Sequence, residues 1–503
     1  MDEPANRCLL ARFAGPDVPD WLRRWLDAGL AGVVLFAGNI TDGQQCRSLV
    51  RQLRSHNPEA IVAVDEEGGI VTRLEARTGS SYPGNAALGA VDDVQLTRLV
   101  AGGIGAMLAR DGITLNFAPV ADVAINPGNP VIGVRSFGAD PDQVAAHTTA
   151  FVTGVQAHRV AACAKHFPGH GRTGEDSHLT LPSVPVSLAD MTATDLVPFR
   201  AAISAGVKAV MTAHVSFPAV DAGPATLSRR WLTDVLRGDF GFGGVIVTDA
   251  LDMAGVGDPE AGAVTALNAG ADLLCLPADR LSQRRVADSV AAAARSGALG
   301  RDRLAQAAAR VRALASWSRA RDASRGAPPK APGSAGLAAG VEAARRALRI
   351  EGIGAPLPHP PYVIDAGGRM NPQLQDRAVS LLDMVRERMP GTDGVKLDEP
   401  GAASLDRWLH AAAGRPLVLA VRDAHQRHWQ RELLRRVLAA RPDAVVVGTG
   451  TDYDRPLAGA VYVGTLGASR VSLAAAADLL AGAGQRQAGR AEAARHPGGP
   501  AVQ

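Results

Sequence analysis

Asp249 closes an apolar run, residues 244–247, that carries no charge of its own. A strand there would present the carboxylate at the edge of a buried sheet, within reach of a reacting carbon. A carboxylate nucleophile suits glycosyl transfer, whose transition state is oxocarbenium-like and cationic. That reaction also needs a group that protonates the leaving oxygen and later activates water. Glu or Asp usually fills this role, but His serves because its pKa lies near working pH. One stretch offers such a group: Lys165-His166-Phe167-Pro168-Gly169-His170-Gly171 runs on to Asp176-Ser177-His178. Asp176 and His178 stand two apart, so a bent loop lets the carboxylate fix the imidazole tautomer and stabilise its charged form. Taken alone, each feature has a plainer reading. Asp249 could cap the next helix, and an isolated Asp-x-His is more often a solvated loop pair.

Recognition of a sugar demands many polar contacts, because each hydroxyl loses water on binding. Asp65 could accept hydrogen bonds from hydroxyls, while Arg73, Arg135, Lys165 and His166 supply donors. The same residue types allow a second chemistry. His166, His170, His178, His214, Lys165 and Asp249 contain suitable metal ligands, as in a metal-dependent amidohydrolase. Against it, the first apolar run lacks the His-x-His such enzymes carry. A non-catalytic sugar-binding protein is a third reading, opposed by the presence of both Asp249 and His178.

These residues need a scaffold that gathers them. Apolar, β-branched runs occur at 8–14, 31–37, 60–64, 113–120, 160–164, 208–213, 244–247 and 271–276. Helical spacing lies between most of them, as at 91–110 and 187–205, and residues 41–44 resemble a capping box. Continuous apolar strands alternating with helices imply a parallel sheet buried on both faces. Eight such units over about 250 residues have the size of a (β/α)8 TIM-like barrel. A barrel should collect functional residues at strand C-terminal ends, and polar residues stand there: Asp65, Asp122, Lys165 and His166, His214, and Asp249. The expected division is a catalytic barrel at 1–318, a Gly/Pro-rich linker at 319–340, and a smaller α/β sandwich domain at 341–480. Residues 481–503 have the composition of a disordered tail. In the second domain, strands are expected at 362–365, 416–421, 444–447 and 460–463, with helices at 405–413 and 427–440. No GxGxxG follows its first strand, so nucleotide binding has no support.

Composition narrows the partners. Among 503 residues, 53 are basic and 50 acidic, a net charge of +3, so neither nucleic acid nor a membrane surface is an expected partner. Aromatics at 4% argue against a stacking platform for single strands. Cys8, Cys46, Cys163 and Cys275 show no metal-site spacing. Reduced, buried thiols fit a cytoplasmic protein. The acidic start, Met1-Asp2-Glu3-Pro4, lacks the apolar core of a secretory signal, and no uncharged run is long enough to span a bilayer.

The 165–178 stretch resembles the signature of the β-N-acetylhexosaminidase branch of glycoside hydrolase family 3. Supporting blocks are Val64-Asp65-Glu66-Glu67-Gly68-Gly69 with Val71 and Arg73, Ala118-Pro119-Val120-Ala121-Asp122, and Asn129 through Gly138. Met211-Thr212-Ala213-His214 and Val247-Thr248-Asp249-Ala250-Leu251 follow in family order. The resemblance implies a two-domain, retaining enzyme that removes terminal β-linked GlcNAc from cell-wall (muropeptide) or chitin-derived oligosaccharides. It implies Asp249 as nucleophile and His178 as acid/base, polarised by Asp176. It also implies that Asp65, Arg73, Arg135, Lys165 and His166 hold N-acetylglucosamine in the first sugar site, and it implies no metal or organic cofactor. Some relatives use phosphate in place of water, so a phosphorylase is the alternative. The family often has Gln where this chain has Glu66, and a basic residue where it has Ile70.

Overall fold

The computed structural model describes residues 3–177, 179–319, 334–367, 379–398 and 405–483. They fall into two compact units: residues within 1–77 and 84–340, and residues within 78–83 and 341–503.

In the first unit the strands β1 (Leu9–Ala11), β2 (Gly32–Leu35), β3 (Ile61–Val64), β4 (Leu115–Asn116), β5 (Ala161–Phe167) and β6 (Ala209–Thr212) pair in parallel in chain order. A short hairpin, β7 (Ser216–Phe217) and β8 (Asp221–Pro224), precedes β9 (Val245–Val247) and β10 (Leu274–Cys275). β10 lies beside β1, and a parallel bridge from Val247 to Leu273 joins β9 to β10. All eight apolar runs are thus strands of one nearly closed barrel, as expected.

Alternation along the strands decides what faces inward. Leu10, Ile61, Ala63, Leu115, Ala161, Cys163, Ala209, Met211, Val245, Val247, Leu273 and Cys275 form a single buried cluster. Each large aliphatic among them contributes about 1.5–3 kcal/mol by leaving water. The helix Arg301–Arg319 adds Val311, Leu314 and Ala315 to this cluster. Its end lies at the N-terminal side of the strands: Ser318 Oγ donates to the Thr114 carbonyl at 3.1 Å, just ahead of β4. Arg319 pairs with Glu59, just ahead of β3, at 3.1 Å. On the same side the fully buried Asp272 takes Arg237, Arg303 at 2.6 Å and Arg310 at 3.2 Å. That end is filled, which leaves the C-terminal end for chemistry.

Local differences from expectation have local causes. The cap at 41–44 is Asp42, whose Oδ1 accepts the Gln44 and Gln45 amides at 2.8 and 2.9 Å, and the helix is Gly43–His56. The 91–110 helix starts at Val94, because Asp93 caps the Leu96 amide at 3.0 Å. The 187–205 segment breaks at Thr194 into Leu188–Ala193 and Val197–Ser204, with Pro198 in the first turn of the second. β5 runs three residues further than its apolar core, so Lys165 and His166 sit on the strand, not on the loop after it.

The second unit is a six-stranded sheet in the order β11 (Arg349–Glu351), β16 (Tyr462–Gly464), β15 (Val445–Gly448), β14 (Leu417–Val421), β12 (Tyr362–Asp365), β13 (Asp393–Lys396). All pairs are parallel except β11 with β16. The order reverses between β12 and β14, the doubly wound arrangement. β11 and β13 are additional to the expected strands; they are edge strands with half-exposed, polar sequences and carry no apolar run. Residues 78–83 belong to this unit: the Val471 amide bonds the Ser80 carbonyl at 3.4 Å, and Arg470 Nη2 bonds Ser81 Oγ at 2.5 Å. The helix Ser334–Arg346 begins inside the stretch read as linker, where Ala335, Leu337, Ala338 and Ala339 favour helix. Residues 320–333 and 484–503, most of the expected linker and tail, lie outside the described residues. Among the described residues no helix is long and apolar enough to cross a membrane.

Candidate active site

The inward register that packs the barrel continues into charge. Ile61 and Ala63 lead to Asp65, Ala161 and Cys163 to Lys165, and Val245 and Val247 to Asp249. Lys165 is 2% exposed. Its Nζ meets Asp65 Oδ1 at 2.8 Å and Glu67 Oε1 at 2.7 Å. Glu67 also takes a two-pronged contact from Arg135, Nε at 2.9 Å and Nη2 at 2.7 Å. Arg73 Nη2 approaches Asp65 Oδ2 at 3.5 Å. Three cations thus surround two carboxylates, and each buried charge has a partner.

Protonation follows from that arrangement. Burial works against the charge of Asp65, but Lys165 and Arg73 outweigh it and hold the carboxyl below its usual range. Burial likewise opposes ionisation of Glu67, yet Arg135 and Lys165 hold it well below the usual range. Lys165 is raised, because Asp65 and Glu67 more than offset its desolvation. Asp65, Glu67 and Lys165 are therefore held in their charged forms at neutral pH.

Asp122, after β4 and fully buried, ties the end of β5 to the loop that follows it. Its Oδ1 accepts the His170 amide at 2.7 Å, and its Oδ2 lies 2.7 Å from His166 Nδ1. Burial works against its charge, but His166 and His170 together outweigh it and hold the carboxyl below its usual range. The His170 ring is buried between hydroxyls, Thr173 Oγ1 at 2.9 Å from Nδ1 and Ser177 Oγ at 2.9 Å from Nε2. Burial, with His166 nearby, pushes its pKa down to about 4. The Lys165–His166, Phe167–Pro168 and Ala118–Pro119 peptide bonds are cis.

Asp249 is half-buried beyond β9, with Oδ1 2.7 Å from the Ala250 amide. It and Asp65 both raise the pKa of the buried thiols of Cys163 and Cys275, after burial itself. Asp65 follows β3 and Asp249 follows β9, so both stand at the C-terminal end of the barrel strands. His214 steadies the chain beside Asp249: its Nε2 lies 3.0 Å from the Ala250 carbonyl and its Nδ1 2.9 Å from Thr226 Oγ1. Asp176 is half-buried, and its carbonyl accepts the Leu179 and Thr180 amides at 2.9 and 3.1 Å in a tight turn. His178 lies outside the described residues.

The structure thus gathers Asp65, Arg73, Arg135, Lys165, His166 and Asp249 at one end of the barrel. It adds Glu67, which the sequence reading placed only within a motif block, and it gives partners to Asp122 and His214, both read there as strand-end residues. Their signal was present: each stands in one of the polar blocks at a strand end. Of the histidines considered above as metal ligands, His166 turns to Asp122, His170 to two hydroxyls, and His214 to a hydroxyl and a carbonyl. Among the described residues no three His, Cys, Asp or Glu side chains converge as ligands.

The fold is a nearly closed (β/α)8-type barrel whose charged groups collect at the C-terminal end of its strands, the end where enzymes of this fold carry their chemistry. Residues 20–314, more than half of the chain, match the glycosyl hydrolase family 3 N-terminal domain, and the chain belongs to glycosyl hydrolase family 3. It is similar to a beta-hexosaminidase of Stenotrophomonas maltophilia (strain R551-3), 40% identical over 312 residues that cover 59% of this chain and 92% of that one. Beta-hexosaminidase A of Pseudoalteromonas piscicida is 37% identical over 302 residues, 55% of this chain and 50% of that one; the chain spans about half the length of that relative. Among solved structures, a glycoside hydrolase family 3 beta-N-acetylglucosaminidase from Paenibacillus sp. str. FPU-7 superposes with a TM-score of 0.86 at 32% identity, covering 95% of this chain and 96% of that chain.

Proposed function

We propose that this protein is a retaining exo-β-N-acetylglucosaminidase acting on GlcNAc-terminated oligosaccharides from cell wall or chitin. The observation that carries the reading is that the Asp65–Lys165–Glu67–Arg135 cluster and Asp249 both stand at the C-terminal end of one barrel. That cluster offers both donors and acceptors to the hydroxyls and acetamido group of one sugar ring. In this reading the Asp249 carboxylate attacks the anomeric carbon while His178 protonates the leaving oxygen. The bond to the aglycone breaks and a glycosyl-enzyme ester forms. His178, now neutral, takes a proton from water, which attacks the same carbon and frees Asp249 with net retention. Asp176 holds the imidazole and stabilises its charged form. The family match and the beta-hexosaminidase relatives support the reading. The four cysteines are all unbridged and buried, which supports a reducing, cytoplasmic location.

A fluorogenic β-GlcNAc glycoside tests this. Wild-type protein should release the fluorophore, and Asp249→Ala should lose on the order of 10⁴-fold in kcat while still binding sugar. Equal turnover by the two proteins would refute the assignment. Products read by mass with and without phosphate separate water from phosphate as acceptor: free GlcNAc in both buffers supports a hydrolase, and GlcNAc 1-phosphate supports a phosphorylase.

A further inference from the structure

The chain after β9 is held on two sides. Toward β10, the Thr248 amide donates to the Leu273 carbonyl at 2.9 Å and the Leu251 amide to the Cys275 carbonyl at 3.0 Å. These bonds continue the bridge between Val247 and Leu273. Toward β6 the tie is a side chain. His214 is 1% exposed, and its Nε2 lies 3.0 Å from the Ala250 carbonyl. Ala250 therefore has its N–H on Asp249 Oδ1, at 2.7 Å, and its carbonyl on His214. The chain beyond packs on this histidine too: a Cβ added at Gly255 would stand 2.8 Å from the His214 Cβ.

The partners fix which ring nitrogen carries the proton. A carbonyl only accepts, so Nε2 is the N–H and Nδ1 of the neutral ring is an acceptor. Thr226 Oγ1 stands 2.9 Å from Nδ1 and is the donor. A hydroxyl has one hydrogen, and the Ala213 carbonyl lies 2.9 Å from the same oxygen. That carbonyl already takes the Thr226 amide at 3.3 Å, which releases the hydroxyl to the ring. Behind it, Thr212 Oγ1 lies 2.8 Å from Thr226 Oγ1 and can donate to it. Both threonines are fully buried. Three donors thus point one way: Thr212 to Thr226, Thr226 to His214, His214 to Ala250.

We propose that His214, oriented by Thr226, is a positioning residue for the nucleophile: it holds Ala250, whose N–H aims the Asp249 carboxylate. The proposal rests on the reading of Asp249 as nucleophile. His214 and the two threonines are too buried to offer a sugar a surface, so they act on the reaction only through Asp249. Their loss should therefore appear in the step where the carboxylate attacks and not in sugar binding.

The first-order rate at which a saturating 5-fluoro N-acetylglucosaminyl fluoride labels the full chain reads that attack alone, whatever fraction of the molecules is folded. His214→Leu should slow it by about 10–100-fold, with the sugar concentration at half-maximal rate held within about twofold. His214→Gln, whose side-chain amide can donate to the Ala250 carbonyl, should recover most of that loss. Thr226→Val alone should slow labelling, yet add nothing to His214→Leu, because both act through one ring. Wild-type labelling by His214→Leu, equal rates for His214→Leu and His214→Gln, or a Thr226→Val penalty that persists beside His214→Leu overturns the positioning role. Hydrogen exchange without substrate, read by mass over residues 248–253, separates this from the reading of the site. Exchange there should be faster in His214→Leu than in wild type or His214→Gln, with the rest of the barrel unchanged. No local rise overturns the positioning role. A local rise in a protein that takes no 5-fluoro sugar supports the tie from His214 to Ala250 and overturns the functional reading.

Discussion

Lys165 is the residue on which the charge cluster turns. A buried ammonium is tolerable only because Asp65 and Glu67 lie within 2.8 and 2.7 Å of it, and Glu67 in turn anchors Arg135. Replacing Glu67 by Gln would leave three cations facing one carboxylate. We expect Glu67→Gln to lose about 3–5 kcal/mol in urea denaturation, since breaking a buried pair strands the remaining charge. A loss below about 1 kcal/mol would show that the pair is solvated. The pH dependence has a sign as well. Asp65, Glu67 and Asp122 are held below their usual range. The stability they contribute is present above the ordinary carboxylate range and lost as pH falls below it, so acid unfolding should be steeper in wild type than in Glu67→Gln. The positions of Asp65, Lys165 and Asp249 were readable because each follows an apolar run. The partnership of Glu67 with Arg135 was not, since it spans 68 residues of chain and exists only as a distance.

At the scale of elements, period-two alternation does most of the placing. The same inward register that stacks Ala161 and Cys163 in the core carries Lys165 to the site, which is why β5 extends past its last apolar residue. The barrel strands were legible as uncharged runs. The edge strands β11 and β13 were not, because one exposed face leaves no continuous apolar pattern. The opposite end of the barrel depends on Asp272, which joins the approach to β10 to Arg237, Arg303 and Arg310. Removing it strands three guanidinium groups, and burial with mutual repulsion already pushes Arg237 down to about 10. Asp272→Ala should cost about 3–5 kcal/mol in chemical denaturation yet leave KM of the folded fraction near wild type. A raised KM with unchanged stability would mean that this end communicates with the site.

For the molecule as a whole, two separate cores divide the labour of folding. The barrel cluster and the second sheet's cluster around Ile364, Leu419 and Val446 share no residue. The two-domain plan was visible as two series of alternating apolar runs. The assignment of residues 78–83 to the second unit was not, because it depends on bonds to Arg470 and Val471, some 390 positions later. Net charge near zero gives little long-range steering, so recognition must come from the site itself. The most direct measurement is covalent trapping with a 5-fluoro N-acetylglucosaminyl fluoride, followed by peptide mapping by mass. The predicted result is one sugar per chain, esterified to Asp249, with activity lost in proportion. A sugar attached to any other carboxylate, or turnover with inversion and no adduct at all, would contradict a nucleophile at the end of β9.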